Sequence, residues 1–261
     1  MKQKGKKLDT VYIGGGTPTT LEAEQLKVLF DALMENFDCH NLAEFTIEAG
    51  RPDSITREKL MMIRNYPVTR ISVNPQTMNN NVLRIIGRNH TAEDTVRAFF
   101  SAREEGFDNI NMDLIAGLPS DTAESYHQTL DRIIDLNPES ITVHTLTIKR
   151  SAKIYEDDIE KYLTAPASEM VNESIRTLPE NGYLPYYLYR QKNTVENLEN
   201  IGFAKKERES LYNIFIMDET QTILGAGCAA STKIVQPNGK ITRIHNYKFP
   251  YEYINRFDDL M

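Results

Sequence analysis

Three consecutive glycines near the amino terminus constrain this chain more than any other feature. Gly14-Gly15-Gly16-Thr17-Pro18-Thr19 follows a short apolar run, Val11-Tyr12-Ile13, and precedes an amphipathic helical pattern. Glycine tolerates positive φ and lets another group approach the backbone closely. Pro18 sets its own φ and drives Thr17 away from helix. The string predicts a bare, rigid shelf at the end of a strand, where open and barrel-type α/β proteins bind ligands. An ordinary strand–turn–helix junction is the plainer alternative, but one glycine suffices for it. No Gly-Lys-Ser/Thr follows, so this is not a phosphate loop, and the glycines lack the spacing of the dinucleotide fingerprint.

Strand and helix patterns alternate from there to about residue 150. Short β-type runs over 8–13, 45–48, 70–73, 110–115 and 141–146 are each followed by apolar residues at helical spacing, such as Leu26, Leu29, Phe30, Leu33 and Phe37. Thr19 and Glu22 have capping-box spacing for the first helix. Asp121 or Thr122 caps the helix carrying Tyr126, Leu130 and Ile133. This rhythm predicts an α/β protein with a parallel sheet. Beyond Lys149 it changes, which divides the chain into 1–150 and an extension, 151–261. The extension has acidic residues at 156–158, a helix over 166–181, and a cluster of Tyr183, Tyr186, Tyr187 and Tyr189 that reads as packing at an interface. Runs 211–217 and 221–224 read as strands, and 225–230 as a small-residue loop for close packing or close ligand approach.

Composition narrows the function classes. Net charge is −7 although four lysines crowd the first seven residues, so nonspecific nucleic-acid binding is disfavoured. No run approaches membrane-spanning length, and no apolar h-region follows the basic start, so the cytoplasm is the expected compartment. Cys39 and Cys228 are far apart and are expected to be free thiols.

In a parallel α/β sheet, residues at the carboxyl ends of the strands share one face. Here they are Gly14 to Thr17, Glu48, Gln76, Asp113 and Thr147, with Arg88 nearby. Ionised Glu48 and Asp113 only accept hydrogen bonds and suit ribose hydroxyls or an ammonium. The Arg88 fork suits a carboxylate, and Gln76 both donates and accepts. Singly, Glu48 could be a solvated charge, Asp113 a turn cap and Arg88 the partner of a surface carboxylate. Together they suit a small molecule with an amino-acid end and a ribose end, as in S-adenosylmethionine.

Five stretches in order carry a resemblance: Gly14 to Thr19, the strand ending in Glu48, Arg70-Ile71-Ser72 to Gln76, Gly87-Arg88-Asn89-His90, and Asp113-Leu114-Ile115-Ala116-Gly117-Leu118-Pro119. They resemble the radical S-adenosylmethionine enzymes of the oxygen-independent coproporphyrinogen III oxidase family (HemN, HemW and HemZ types). Glu48 to Ser54, residues 186–193 and 224–230 look most like the HemZ branch. The resemblance implies a partial (β/α)6 barrel, here lacking its first βα unit and followed by a C-terminal α+β extension. It implies that Gly15, Gly16 and Thr17 hold the amino-acid end of S-adenosylmethionine beside Glu48. Gln76, Arg88, Asp113 and Thr147 match positions lining a second such molecule. Asn74-Pro75 stands where many relatives have glycine and an apolar residue.

The implied activity is oxidative decarboxylation of coproporphyrinogen III propionates to vinyl groups, with a [4Fe–4S] cluster and a reductant protein such as flavodoxin or ferredoxin. The family's C-x3-C-x2-C loop, which ligates the cluster, is absent before Gly14. The expectation is a truncated chain without activity of its own. Arg51, Lys149, Arg150, Lys153 and Arg190 are cations available to an anionic tetracarboxylate. A haem-carrying function of the HemW type is the alternative, with His40, His90, His127, His144 and His245 as possible axial ligands and His144 more at home in packing or a hydrogen bond. A non-catalytic remnant is the third reading.

Overall fold

Apolar and polar residues alternate along the strands, and the two sets face opposite sides of one sheet. The structure, a computed structural model, describes residues 7–147, 166–190, 192 and 194–260. Two compact units divide between Leu211 and Tyr212. In the first unit, strands β1 (Thr10–Ile13), β2 (Glu44–Gly50), β3 (Arg70–Val73), β4 (Ile110–Ala116) and β5 (Ser140–Thr145) pair in parallel in chain order. Helices α1 (Ala23–Asn36), α2 (Arg57–Arg64), α3 (Asn80–Ile85), α4 (Ala92–Glu104) and α5 (Ala123–Leu136) form the crossovers, and α6 (Ala167–Glu180) follows β5. Strands β6 (Leu184–Tyr189) and β7 (Asn200–Ala204) complete the order β1-β2-β3-β4-β5-β7-β6, with β7 antiparallel to both neighbours. The result is the α/β partial barrel expected, a curled sheet of seven mostly parallel strands.

The convex face carries the core. Phe45, Ile47, Ile71, Met112, Leu114, Ile141 and Val143 are fully buried against Leu26, Phe30, Leu60, Phe99 and Leu130 of the helices. Each such side chain contributes about 1.5–3 kcal/mol through loss of water contact. Phe30 of α1 stacks on Tyr66 at 4.7 Å, which seats α1 over the start of β3. The concave face is polar, because it lines the lumen.

The amino-terminal end of the sheet is tied by Glu44. It is 4 % exposed, and its carboxylate accepts from Thr46 Oγ1 (3.0 Å), Ser210 Oγ (3.0 Å) and the Leu211 amide (2.8 Å). A buried carboxylate is tolerable only with this degree of hydrogen bonding.

Several local expectations need correction. Thr19 does not cap α1. Pro18 starts a 3-10 turn, Pro18–Thr20, so the helix begins one turn later. Glu22 takes the capping position and its amide donates to Gln25 at 2.9 Å, while Thr19 is buried and donates to the Ala49 carbonyl. Of the two candidate caps for α5, Thr122 serves, accepting from the Ser125 amide. The 211–217 run is helix α7 (Leu211–Met217), not a strand, because Leu211, Ile214 and Phe215 share one helical face. Run 221–224 makes a single bridge, Ile223 to Lys233.

The second unit, Tyr212–Met261, contains the hairpin β8 (Ser231–Val235) and β9 (Ile241–His245), then α8 (Pro250–Asn255). Its small-residue loop serves close packing, since a side chain on Gly225 would strike the Ser231 backbone at 2.7 Å. Among the described residues no helix is long and apolar enough to cross a membrane.

Candidate functional site

The three glycines have different reasons to be glycine. A Cβ on Gly14 would lie 2.5 Å from the Tyr12 ring and 3.2 Å from the Glu48 carboxyl. Gly15 and Gly16 have φ of +22° and +55° with nothing within 4 Å of a would-be Cβ. That conformation costs other residues about 1–2 kcal/mol. The shelf is therefore pressed onto Glu48 on one side and open on the other. Thr17 is extended, as Pro18 requires, and its methyl sits 3.2 Å from where a Gly50 side chain would begin.

Beside the shelf, the lumen holds a connected polar network. Tyr12 donates its hydroxyl to Glu48. Asn111 donates to Asp113 at 2.6 Å and accepts from Ser140 and Thr142 at 3.0 and 3.1 Å. Arg70, 2 % exposed, donates to Ser140 at 3.0 Å. His144 Nε2 lies 3.7 Å from Asp113 Oδ2. Register explains the assembly, because Ser72 is opposite both Glu48 and Asn111, Asn111 is opposite Ser140, and Asp113 is opposite Thr142.

The network separates its two acids. Burial raises the Glu48 pKa, aided by Asp113, and outweighs the Tyr12 hydrogen bond and the charges of His144 and Arg70. Burial also acts upward on Asp113, yet His144, Asn111 and Arg70 together bring its pKa below the ordinary value. Burial acts downward on His144, and Asp113 and Glu48 reverse it, leaving the imidazole more basic than usual. Tyr187 lies against Gly202 in the same region, where burial raises its phenol and Asp113 adds to the shift.

Gln76 is held in a strained conformation, φ +69°. Its amide donates to the Asp113 carbonyl (3.0 Å) and its carbonyl accepts from Ile115 (2.9 Å), which pins it against β4. Positive φ in a non-glycine residue persists only when neighbours enforce it, commonly at functional sites. Arg88 follows α3 and is half-buried. Burial lowers its pKa, with Arg51 adding and Asp53 opposing. Thr147 lies two residues past β5, bridged to Thr194.

The structure thus sets Gly14 against Glu48 and Thr17 against Gly50, couples Glu48 electrostatically with Asp113, and joins Asp113 to Gln76 through their backbones, all toward the carboxyl ends of parallel strands. Thr147 shares that end of the sheet. Strand alternation was the available signal for Tyr12, Arg70, Asn111 and His144, which motif reading did not assign to the site. Among the five cations considered for an anionic substrate, Lys149, Arg150 and Lys153 lie outside the described residues, and Arg190 pairs with Glu199. Of the histidines, His127 pairs with Glu173 (2.6 Å) and Asp131 (3.5 Å), and His40 and His245 are exposed.

A curled α/β sheet with glycines and acids toward the carboxyl ends of its parallel strands defines a partial barrel of the TIM-like class. The profile of the Radical SAM superfamily matches residues 1–133, and the chain belongs to that superfamily. It is 44% identical over 99% of its length to the oxygen-independent coproporphyrinogen-III oxidase-like protein HemZ of Bacillus subtilis, covering 52% of that protein. It is 32% identical to the heme chaperone HemW of the same organism, over 84% of this chain and 56% of that one. The structure of the Escherichia coli coproporphyrinogen III oxidase HemN, a radical SAM enzyme, superposes with a TM-score of 0.78 at 27% identity, covering 98% of this chain and 58% of that one. The chain spans about half the length of these relatives.

Membership of the superfamily implies S-adenosylmethionine and a [4Fe–4S] cluster. The open glycine shelf and the polar groups around it fit the first. The second does not fit, because the chain has two cysteines, both free, in different units. Among the described residues no group of three His, Cys, Asp or Glu side chains is placed to hold a metal.

Proposed function

We propose that this chain is the S-adenosylmethionine-binding barrel of a coproporphyrinogen-oxidase-like protein that acts on a porphyrinogen. The observations that support it are Gly14 lying against Glu48 at the head of the open Gly15–Gly16 shelf, the electrostatic coupling of Glu48 with Asp113, and the backbone hydrogen bond that ties Gln76 to Asp113. Its 44% identity to HemZ supports the substrate class. In this reading Gly15, Gly16 and Thr17 hold the amino-acid end of one S-adenosylmethionine beside Glu48. Gln76, Arg88, Asp113 and Thr147 line a second. In this superfamily S-adenosylmethionine would supply hydrogen-atom abstraction once an electron from a cluster, held outside this chain, cleaves its sulfur–carbon bond. The residues of this chain bind and orient it: the shelf offers bare amides, and Glu48 and Asp113 offer acceptors of unequal basicity.

Because the cysteines do not fit a cluster, this polypeptide alone forms no 5′-deoxyadenosine with S-adenosylmethionine and dithionite. Detection of that product by chromatography would refute the point. Calorimetric titration tests the binding reading: S-adenosylmethionine binds the wild type, and Glu48→Gln or Arg88→Ala weakens it about tenfold or more, the loss of one charge-assisted contact. No binding by a folded wild type overturns it. The 32% identity to HemW favours haem carriage as the second reading. A Soret band on adding haem, lost with one histidine substitution, would establish that reading instead.

A further inference from the structure

Arg70 is a buried charge that folding does not explain. It lies on β3 at 2 % exposure, its Nη2 donates to Ser140 Oγ at 3.0 Å, and its Nε has no partner among the described residues. A buried guanidinium with an unmet donor lowers stability. Its hydrogen bond instead starts a path across the lumen to Asp113.

The protons along that path follow from donor and acceptor chemistry. A guanidinium only donates, so Ser140 Oγ accepts from Arg70 and its own proton goes elsewhere. That proton reaches Asn111 Oδ1 at 3.0 Å, and Thr142 Oγ1 donates to the same oxygen at 3.1 Å. Asn111, Ser140 and Thr142 are all buried. Two hydroxyls thus hold the amide oxygen toward β5, and the amide nitrogen faces the other way. Nδ2 donates to Asp113 Oδ1 at 2.6 Å. A flipped amide would set oxygen against carboxylate, acceptor against acceptor. With Oδ1 engaged by Asn111, Asp113 keeps Oδ2 for the lumen, where His144 Nε2 stands 3.7 Å away.

We propose that Asn111 is a positioning residue: it keeps Asp113 ionised and leaves Oδ2 to receive the ligand, with its own amide set by Arg70 through Ser140. The ligand half rests on the functional reading above, in which Asp113 lines the S-adenosylmethionine pocket. An ionised carboxylate only accepts, so it takes a donor of the ligand, a ribose hydroxyl or an ammonium. The titratable and charged groups acting with Asp113 are Tyr12 of β1, Glu48 of β2, Arg70 of β3, His144 of β5 and Tyr187 of β6. Burial pushes the Asp113 pKa up, and His144, then Asn111 and Arg70, bring it below the ordinary value. Asn111 carries no charge, so its removal acts on the acid it touches and leaves the field of the others in place.

Asn111→Leu in the full chain keeps the branched side chain and removes the donor. Carboxyl NMR is expected to show the Asp113 pKa about one unit higher, the tenfold gain in proton affinity that follows loss of a hydrogen bond to a charge. In calorimetric titrations, the pH below which S-adenosylmethionine affinity falls is expected to rise by the same amount. A folded variant whose Asp113 titrates as in the wild type overturns the proposal. So does a lower melting temperature with the binding pH profile unmoved, the result of a merely structural asparagine. Should Asn111→Leu fail to fold, Ser140→Ala removes one of the two donors that orient the amide. An upward Asp113 shift there supports the relay, and an unshifted one overturns it. A wild type that binds no S-adenosylmethionine overturns the functional reading, and the Asp113 titration then still decides whether Asn111 sets the acid.

Discussion

Tyr12 on β1 donates its hydroxyl to the carboxylate of Glu48 on β2, and both side chains press against Gly14. The contact joins the first parallel strand pair to the glycine shelf. It also holds Glu48 nearer its ordinary acidity than burial alone would allow.

Tyr12→Phe removes the donor and leaves the acid in place. The Glu48 pKa is expected to rise further, and stability to fall by about 1 kcal/mol, the usual net worth of such a bond. Carboxyl NMR titration and urea unfolding measure the two effects. A Glu48 titration point that stays or falls would show that the phenol does not tune the acid.

The Asp113–His144 pair defines a pH window. The folded pKa of Asp113 is lowered, so its contribution is present above the ordinary carboxylate value and is lost as pH falls through the folded one. The folded pKa of His144 is raised, so its contribution is complete below the ordinary imidazole value and is lost as pH rises through the folded one. Both act together between about pH 4 and 6.5. His144→Ala should therefore flatten the decline of melting temperature from about pH 6 to 8. An unchanged slope would place the pH dependence elsewhere.

Gly202 of β7 and Tyr187 of β6 occupy one space. A Cβ on Gly202 would sit 1.9 Å from the Tyr187 ring. Gly202→Ala is expected to destabilise by about 3 kcal/mol, at the upper end for overpacking. Tyr187→Ala in the same chain should restore part of that loss, read as a coupling energy in a double-mutant cycle. Strict additivity in urea unfolding would contradict the shared space.

Glu44→Ala leaves the Leu211 amide and the Ser210 hydroxyl without this acceptor. The expected cost is about 2–3 kcal/mol, with faster proteolysis near residue 210. Cleavage at the wild-type rate would mean that the tie does not hold the segment.

The parallel strands were legible because their apolar residues face helices and recur in short β-type runs between helical patterns. The shelf was legible because three glycines exceed the needs of a turn. The start of α1 was misread: capping-box spacing at Thr19 and Glu22 competes with Pro18, whose 3-10 turn delays the helix by one turn. Run 211–217 was misread as strand because a two-turn apolar segment fits either period, and the face shared by Leu211, Ile214 and Phe215 is hard to tell from a buried strand at that length.

The sequence by itself determined the order of βα units, the glycine shelf and the set of polar residues at strand ends, since each depends on local backbone preference and spacing. Only the tertiary structure decided which of those residues meet. Parallel strands that are neighbours in the sheet lie twenty or more residues apart in the chain. Register between them placed Tyr12 on Glu48 and His144 on Asp113, and the turn after β2 closed Arg51 onto Asp53. The first two pairings both lower an acid's pKa, but burial prevails at Glu48 and is overcome at Asp113, a balance that no local pattern encodes.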